Sequence, residues 1–229
     1  MAPPPGHDRR TVTVTTSPPA HQIAYARMRD MILFGQVAPG RAVTIEGLVS
    51  ELGVGMTPVR EALRRLIAEG ALVAHGNRRV TLPRLDARQL DELDYVRRHV
   101  EPQLARLAAP RLSAEVVLQM QIIDDEVDAA ITRGDIAAYL RANHRFHFTL
   151  YEASEAAILL SLARAMWLRF GPSLRAVCAT PGMLTLPDRH KDALAALRAG
   201  DAEALARAIE ADVGQGTEQM RAACAAGEI

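Results

Sequence analysis

Four side chains in the second half of this chain have the clearest capacity for chemistry. Asn143 and His147 stand at i and i+4 in a segment where Leu140, Phe146, Leu150 and Tyr151 recur at helical spacing. The two polar groups therefore lie one above the other on an apolar stripe. His190 shares a stripe with Leu186, Ala193, Leu194 and Leu197, and Asp212 shares one with Leu205, Ala208 and Ile209. Three helices thus aim an amide, two imidazoles and a carboxylate inward. Burying polar groups without partners costs on the order of 2–7 kcal/mol when neutral and more when charged, so something must satisfy them. Mutual hydrogen bonds would do so. A divalent metal would also do so, because His and Asp on facing helices build metal sites in bundles. Arg97 lies on another inward stripe, with Leu90, Leu93, Val100 and Leu104. Its guanidinium can pair bidentately with the carboxylate of a bound ligand or with Glu101 at i+4. Arg175 is a further effector-binding candidate on similar grounds.

A second group, Arg60, Arg64 and Arg65, sits on an amphipathic segment that buries Val59, Ala62, Leu63 and Leu66 and stops near Gly70. Thr57 is placed to supply an N-cap oxygen and Pro58 to open the helix, where proline loses no needed donor. Such a helix fits the roughly 12 Å major groove of DNA.

The elements around these residues follow from spacing and punctuation. Ile23, Met28, Met31, Ile32 and Leu33 predict a helix closed by Gly35, followed by a turn at Ala38-Pro39-Gly40. Ile45, Leu48, Val49 and Leu52 predict a short helix capped by Thr44 and ended by Gly53. After the arginine-bearing helix, residues 71–74 and 79–82 read as a small hairpin around His75-Gly76-Asn77. The outline over 20–84 is a winged helix-turn-helix; the bland alternative is a small helical domain with a solvated basic face. From Asp86 onward the chain reads all helical, near 87–109, 114–133, 135–152, 156–178, 184–199 and 202–223. Pro102 is expected to bend the first of these or divide it. Gly134 and Gly200, each followed by Asp, signal a stop and a start. The expected fold is mostly α: a winged head, then a bundle of six or seven helices over 85–229, with 1–19 a Pro-, Thr- and Ser-rich disordered tail.

Composition fits this plan. The whole chain is formally neutral, with 27 basic and 27 acidic residues, yet residues 20–84 hold nine arginines against five acidic residues. A basic head on an otherwise acidic body suits DNA binding and argues against nonspecific coating of nucleic acid. No apolar run approaches the roughly 20 residues a membrane span needs. No signal-peptide pattern opens the chain, so the expected location is cytoplasmic. Cys178 and Cys224 form no C-x-x-C pair and read as free thiols.

The segment Leu52-Gly53-Val54-Gly55-Met56-Thr57-Pro58-Val59-Arg60-Glu61-Ala62-Leu63-Arg64-Arg65-Leu66, then Glu69-Gly70, resembles the T-P-V-R-E-A-L signature of the GntR family of bacterial regulators. Gly35 followed by Pro39-Gly40, and His75-Gly76 in the wing, are similar to that family too, in particular its FadR-like branch. The resemblance implies that Thr57, Pro58, Arg60 and Arg64 meet DNA and that His75 and Gly76 reach the minor groove. The family often has Ser-Arg before Thr-Pro where this chain has Gly55-Met56, a departure that bears on the operator sequence rather than the binding mode. The helical half looks like the FCD ligand-binding domain. Asn143-His144-Arg145-Phe146-His147 is similar to its D-x-x-F-H motif, with Asn for Asp. His190 stands at the second His position, and Asp212 replaces the last His. The resemblance thus implies a Zn²⁺ or Ni²⁺ site at Asn143, His147, His190 and Asp212. It also implies a small carboxylate effector and a homodimer on a pseudo-palindromic operator in double-stranded DNA. The expected function is a ligand-responsive regulator, in the main a repressor, and not an enzyme. A direct metal sensor and a metal-dependent hydrolase or lyase are the alternatives.

Overall fold

The computed structural model describes residues 18–76, 79–179 and 189–227. The expected tail lies outside the described residues apart from Pro18 and Pro19, which are exposed. The head holds α1 (Ala20–Leu33), α2 (Ile45–Leu52) and α3 (Met56–Ala68). Strands β1 (Ala42–Val43), β2 (Val73–His75) and β3 (Arg79–Thr81) form an antiparallel sheet in the order β1-β3-β2. The predicted hairpin is present, with Ala74 opposite Val80. The sequence reading lacked β1, a two-residue strand that pairs with β3 and is too short to show a period.

The Thr44 hydroxyl accepts the Gly47 N–H at 3.1 Å, and Gly53 ends α2 in the left-handed region at φ 64°. The expected start of α3 is corrected. The helix begins at Met56 after an extended Gly55, with no side-chain cap from Thr57. Pro58 is its third residue, and Val59 makes the first i to i−4 bond, to the Gly55 carbonyl at 3.4 Å. The first N–H groups of a helix have no internal acceptor, so proline is tolerated throughout the first turn and does not mark the first residue.

The bundle comprises α4 (Ala87–Ala108), a 3-10 turn (Ala109–Arg111), α5 (Ala114–Arg133), α6 (Ile136–Glu152), α7 (Ala157–Cys178), α8 (Arg189–Ala199) and α9 (Ala202–Ala225). Asp86 and Gln89 close a capping box on α4, and Ser113, Asp135 and Asp201 cap α5, α6 and α9. Pro102 does not divide α4, which runs unbroken through it along α9. The described part of α8 starts five residues after the predicted start; 184–188 lie outside the described residues.

The head rests on the bundle through α1 and α7. One buried cluster joins Met28, Leu33, Leu63 and Leu66 of the head to Phe148, Trp167 and Leu168. Two glycines permit the close approach. A Cβ on Gly171 would collide with the Leu33 carbonyl, and one on Gly35, already at φ 63°, would lie 2.6 Å from the Arg175 Cβ. No helix among the described residues is long and apolar enough to cross a membrane.

Candidate functional site

Helices α6, α8 and α9 bring His147, His190 and Asp212 together. One donor atom of each lies within 4.8 Å of the others. His147 Nε2 is 3.3 Å from Asp212 Oδ2 and 3.4 Å from His190 Nε2. Both imidazoles are buried, and Asn143 lines the adjoining cavity.

The outer partners fix which nitrogen faces the cluster. His147 Nδ1 lies 3.0 Å from the Tyr151 hydroxyl, which donates its own proton to Glu101 Oε2 at 2.7 Å. The Tyr151 oxygen must therefore accept, and His147 Nδ1 carries the hydrogen. His190 Nδ1 lies 3.1 Å from Asp124 Oδ1, a carboxylate that can only accept. His147 Nε2 consequently turns toward Asp212, and His190 Nε2 toward His147 Nε2, each as a lone pair or as an imidazolium N–H group. Partners on the far nitrogen that fix tautomer and ring orientation are the usual support of metal-bound histidine.

Charge sharpens this. Asp124 and Glu101 are fully buried, and Asp212 side-chain exposure is 22%. Arg97, 3% exposed at its side chain, binds Glu101 through Nε at 2.5 Å and stacks over Phe170 at 3.8 Å. The linked groups thus hold three carboxylates and one guanidinium, and Asp124 Oδ2 is buried with no hydrogen bond among the described residues. The cluster is two positive charges short, which a divalent cation or two imidazolium protons would supply. The two spacings from His147, 3.3 Å to Asp212 and 3.4 Å to His190, fit the cation. Ligands about 2.0–2.1 Å from a tetrahedral metal stand about 3.3–3.4 Å apart. Burial raises the Asp212 pKa, but the His147 hydrogen bond and the charges of His147, His190 and Arg97 outweigh it and hold it at about 2.

The cavity beside the cluster is about 40 Å³ and is lined by Arg97, Asn143, His147, Trp167 and Asp212 among others. Arg97 Nη1 is buried with no hydrogen bond among the described residues. Of the two partners open to Arg97, the structure gives it Glu101, which leaves this one nitrogen spare. Gln215 and Gln219 also line an outer recess of about 420 Å³ with Arg98, Arg189 and Glu218. Arg175 stands apart from this cavity, its stem against Gly35 of the head.

Sequence reasoning missed Asp124 and the full role of Glu101. Asp124 shares the α5 stripe with Met120 and Val127, the signal that picked out Asp212, and that stripe was the available clue. It also missed Trp167, whose Nε1 donates to Glu101 Oε2 at 3.2 Å and whose ring lies 5.1 Å from His147. The same ring belongs to the core under the head. His144, three residues before His147 on α6, stacks on Phe148 at 4.3 Å and meets Trp167 at 5.4 Å and Phe34 of the head at 5.8 Å, both edge-on. Burial, with smaller contributions from His147, Arg29 and Arg164, lowers its pKa to about 3, so it is neutral.

On the head, Met56, Thr57, Arg60 and Arg64 are exposed on α3. Arg60 and Arg64 form no ion pair among the described residues. The acids that could have held Arg60 are engaged elsewhere: Glu69 with Arg65 and Tyr25, and Glu61 near His21 at 3.9 Å. In the wing, His75 Nε2 lies 2.8 Å from the Thr81 hydroxyl and Gly76 has φ 51°, while Asn77 and Arg78 lie outside the described residues.

Residues 20–82 match the model of the bacterial regulatory proteins of the gntR family, and residues 92–215 match that of the FCD domain. The chain is similar to the HTH-type transcriptional regulator McbR of Escherichia coli (strain K12), at 29% identity over 179 residues, 77% of this chain and 81% of that protein. It is also similar to the HTH-type transcriptional repressor RspR of the same organism, at 22% identity over 211 residues, 89% of this chain and 90% of that protein. The solved structure of E. coli McbR/YncC shares its fold with a TM-score of 0.83 and 25% identity, covering 90% of this chain and 99% of that one.

Proposed function

The chain belongs to the GntR family of bacterial regulatory proteins and carries an FCD domain, and from that premise we propose that it is a repressor controlled by a small carboxylate at a metal site. It is a DNA-binding transcriptional regulator and not an enzyme. In our reading the head (20–84) binds DNA, and the helical part (85–229) binds effector and pairs two copies on a pseudo-palindromic operator. The paired state follows from the way dimeric heads read half-sites at fixed spacing. The repressor sense follows RspR. Such a regulator works in the cytoplasm.

The observation that carries the effector reading is the charge-deficient cluster. His147, His190 and Asp212 would hold Zn²⁺ or Ni²⁺, and Asn143 would orient a water or the ligand beside it. When bound, the metal offers open positions to a carboxylate oxygen. Arg97 Nη1, buried and without a hydrogen bond among the described residues, would offer the second contact, a charge-assisted hydrogen bond. Arg175 has no part in this reading, because it lies against the head. Thr57, Pro58, Arg60 and Arg64 face the DNA backbone and base edges, and His75 and Gly76 reach the adjacent groove. Trp167 touches His147, bonds Glu101 and underlies the head, so a shift at the cluster moves the seat of the head.

The test is a thermal-shift screen of small organic acids with Zn²⁺ or Ni²⁺ and with a chelator. A ligand at 100 times its Kd stabilises by about 2.7 kcal/mol, a shift of roughly 5–10 °C. An acid whose shift disappears with chelator, and which releases operator DNA in a gel shift, is the expected result. No shift from any acid, and a melting point indifferent to chelator, would leave a hydrogen-bonded core held by imidazolium protons and overturn the metal reading. The small inner cavity favours one second reading, a direct metal sensor. In that case metal alone changes operator binding and no acid adds to it.

A further inference from the structure

We propose that Met56 reads DNA sequence by covering the C5-methyl group of a thymine in the major groove. The inference deepens the DNA-reading assignment of α3 and rests on it. In helix-turn-helix heads the N-terminal residues of the second helix of the motif reach the base edges. In this head that helix is α3, and Met56 is its first residue, 46% exposed. Gly55 before it, the N-cap, has no side chain, so Met56 is the leading side chain at that end of the helix.

The placement is specific. Met56 lines one open groove of about 750 Å³ with Arg60 and Arg64, at i+4 and i+8 on the same side of the helix. The opposite wall is the start of α2, with Thr44, Ile45 and Glu46. The groove therefore presents two guanidinium groups that form no ion pair among the described residues, with an apolar tip beside them. Arginine reads guanine O6 and N7 through paired donors, whereas the thioether of Met56 offers no donor at all. In the major groove the one apolar group that distinguishes a base is the thymine methyl. A methionine, with three rotatable bonds and a polarisable sulfur, adapts well to such a contact. Glu46, across the groove, accepts hydrogen bonds only and cannot supply the donor pair that guanine requires.

The experiment uses the full chain. Duplexes are first enriched from a randomised library about 30 bp long, enough for half-sites one or two helical turns apart. Each thymine of an enriched duplex is then replaced in turn by deoxyuridine, which removes only the methyl. At one thymine per contact the parent protein should lose about fourfold in affinity, the effect of one methyl-sized group leaving an apolar contact. Met56→Ala, at an exposed site and with an unchanged melting temperature, should bind the thymine and uracil duplexes alike. Met56→Arg should shift the selected base from thymine toward guanine. If no demethylated position weakens the parent, or if Met56→Ala loses as much as the parent, Met56 does not read the methyl. If the library yields no enriched duplex at all, the assignment of α3 itself fails, an outcome distinct from an enriched duplex insensitive to uracil.

Discussion

The two halves of the molecule treat charge in opposite ways. The head leaves Arg60 and Arg64 exposed without ion-pair partners among the described residues, while its remaining α3 arginine is tied down. The bundle buries its charges and links them: Arg97 to Glu101, Glu101 to Tyr151 and Trp167, Tyr151 to His147, and His190 to Asp124. An exposed, unpaired arginine is free to neutralise a phosphate and release the counterions condensed on a polyanion, which suits a surface that reads a long, uniformly charged partner. A buried network short of positive charge suits one small cation and one small anion. The contrast teaches where selectivity resides. In the head it depends on which side chains remain free; in the bundle it depends on what the linked groups still lack.

The largest test of the comparison removes the residue the two halves share. Trp167 is the sole tryptophan, is 3% exposed, and touches both the cluster and the core under the head. Trp167→Ala should cost about 3–5 kcal/mol in urea unfolding followed by far-UV circular dichroism. Trp167→Phe should recover most of the packing and leave a deficit of about 1–3 kcal/mol, because Glu101 loses a buried donor. A Trp167→Ala protein as stable as the parent would mean that the head does not depend on the bundle for its seat.

The next test separates the two surfaces. Arg60→Ala should weaken operator binding about 10–100-fold, the range of one bidentate base contact, with no change in melting temperature. It should also leave any metal-dependent thermal shift intact. Equal operator affinity in the variant would move the reading face away from α3.

Much of this contrast is legible in the sequence, and the exceptions have physical causes. Gly134-Asp135 and Gly200-Asp201 marked helix ends correctly because a left-handed residue and an N-cap are local requirements. Asn143 and His147 were visible as polar residues at i and i+4 on an apolar stripe, and the stripe pattern holds whatever packs against it. The pairing of Arg97 with Glu101 was one of two options and could not be decided from one helix, because the competing partner would have come from outside the chain. Trp167 was illegible because its role depends on α4, α6 and the head meeting at one ring, and no single segment encodes that. The onset of α3 was misplaced because Pro58 satisfies the same backbone rule at several positions in the first turn.

A smaller effect comes from acid, at the contact between the halves. His144, near Phe34, is held neutral with a pKa of about 3, against the ordinary 6.5 that it regains on unfolding. The unfolded chain therefore takes up a proton below pH 6.5 that the folded chain refuses. That contribution is complete above pH 6.5 and is lost progressively as pH falls toward 3. Between pH 7 and 5.5 it should cost about 1 kcal/mol. His144→Phe keeps the stacking on Phe148 and should flatten the pH profile by that amount in parallel urea titrations. Identical slopes in the two proteins would show that the ring is charged in place.

The smallest expected effect is the sharpest control on the head. Arg65 is one residue from Arg64, yet its Nε donates to Glu69 at 2.9 Å and its guanidinium lies over the Tyr25 ring at 3.7 Å. Tyr25 in turn donates to Glu69 at 2.8 Å, and the three side chains tie the end of α3 to α1. The side chain is 59% exposed, so its ion pair contributes little, within the roughly 0.2–1 kcal/mol of exposed pairs. Arg65→Ala should therefore lower stability by less than about 1 kcal/mol. It should weaken DNA binding far less than Arg60→Ala, because an arginine already matched to a carboxylate has less charge to offer a phosphate. Operator titrations of the two variants at several salt concentrations decide this. Loss of a true phosphate contact reduces the salt slope by about one unit, and that reduction is expected for Arg64→Ala and not for Arg65→Ala. Equal slopes for the two would mean that Arg65 leaves Glu69 on binding, and that freedom in the unbound head does not select the arginines that read DNA.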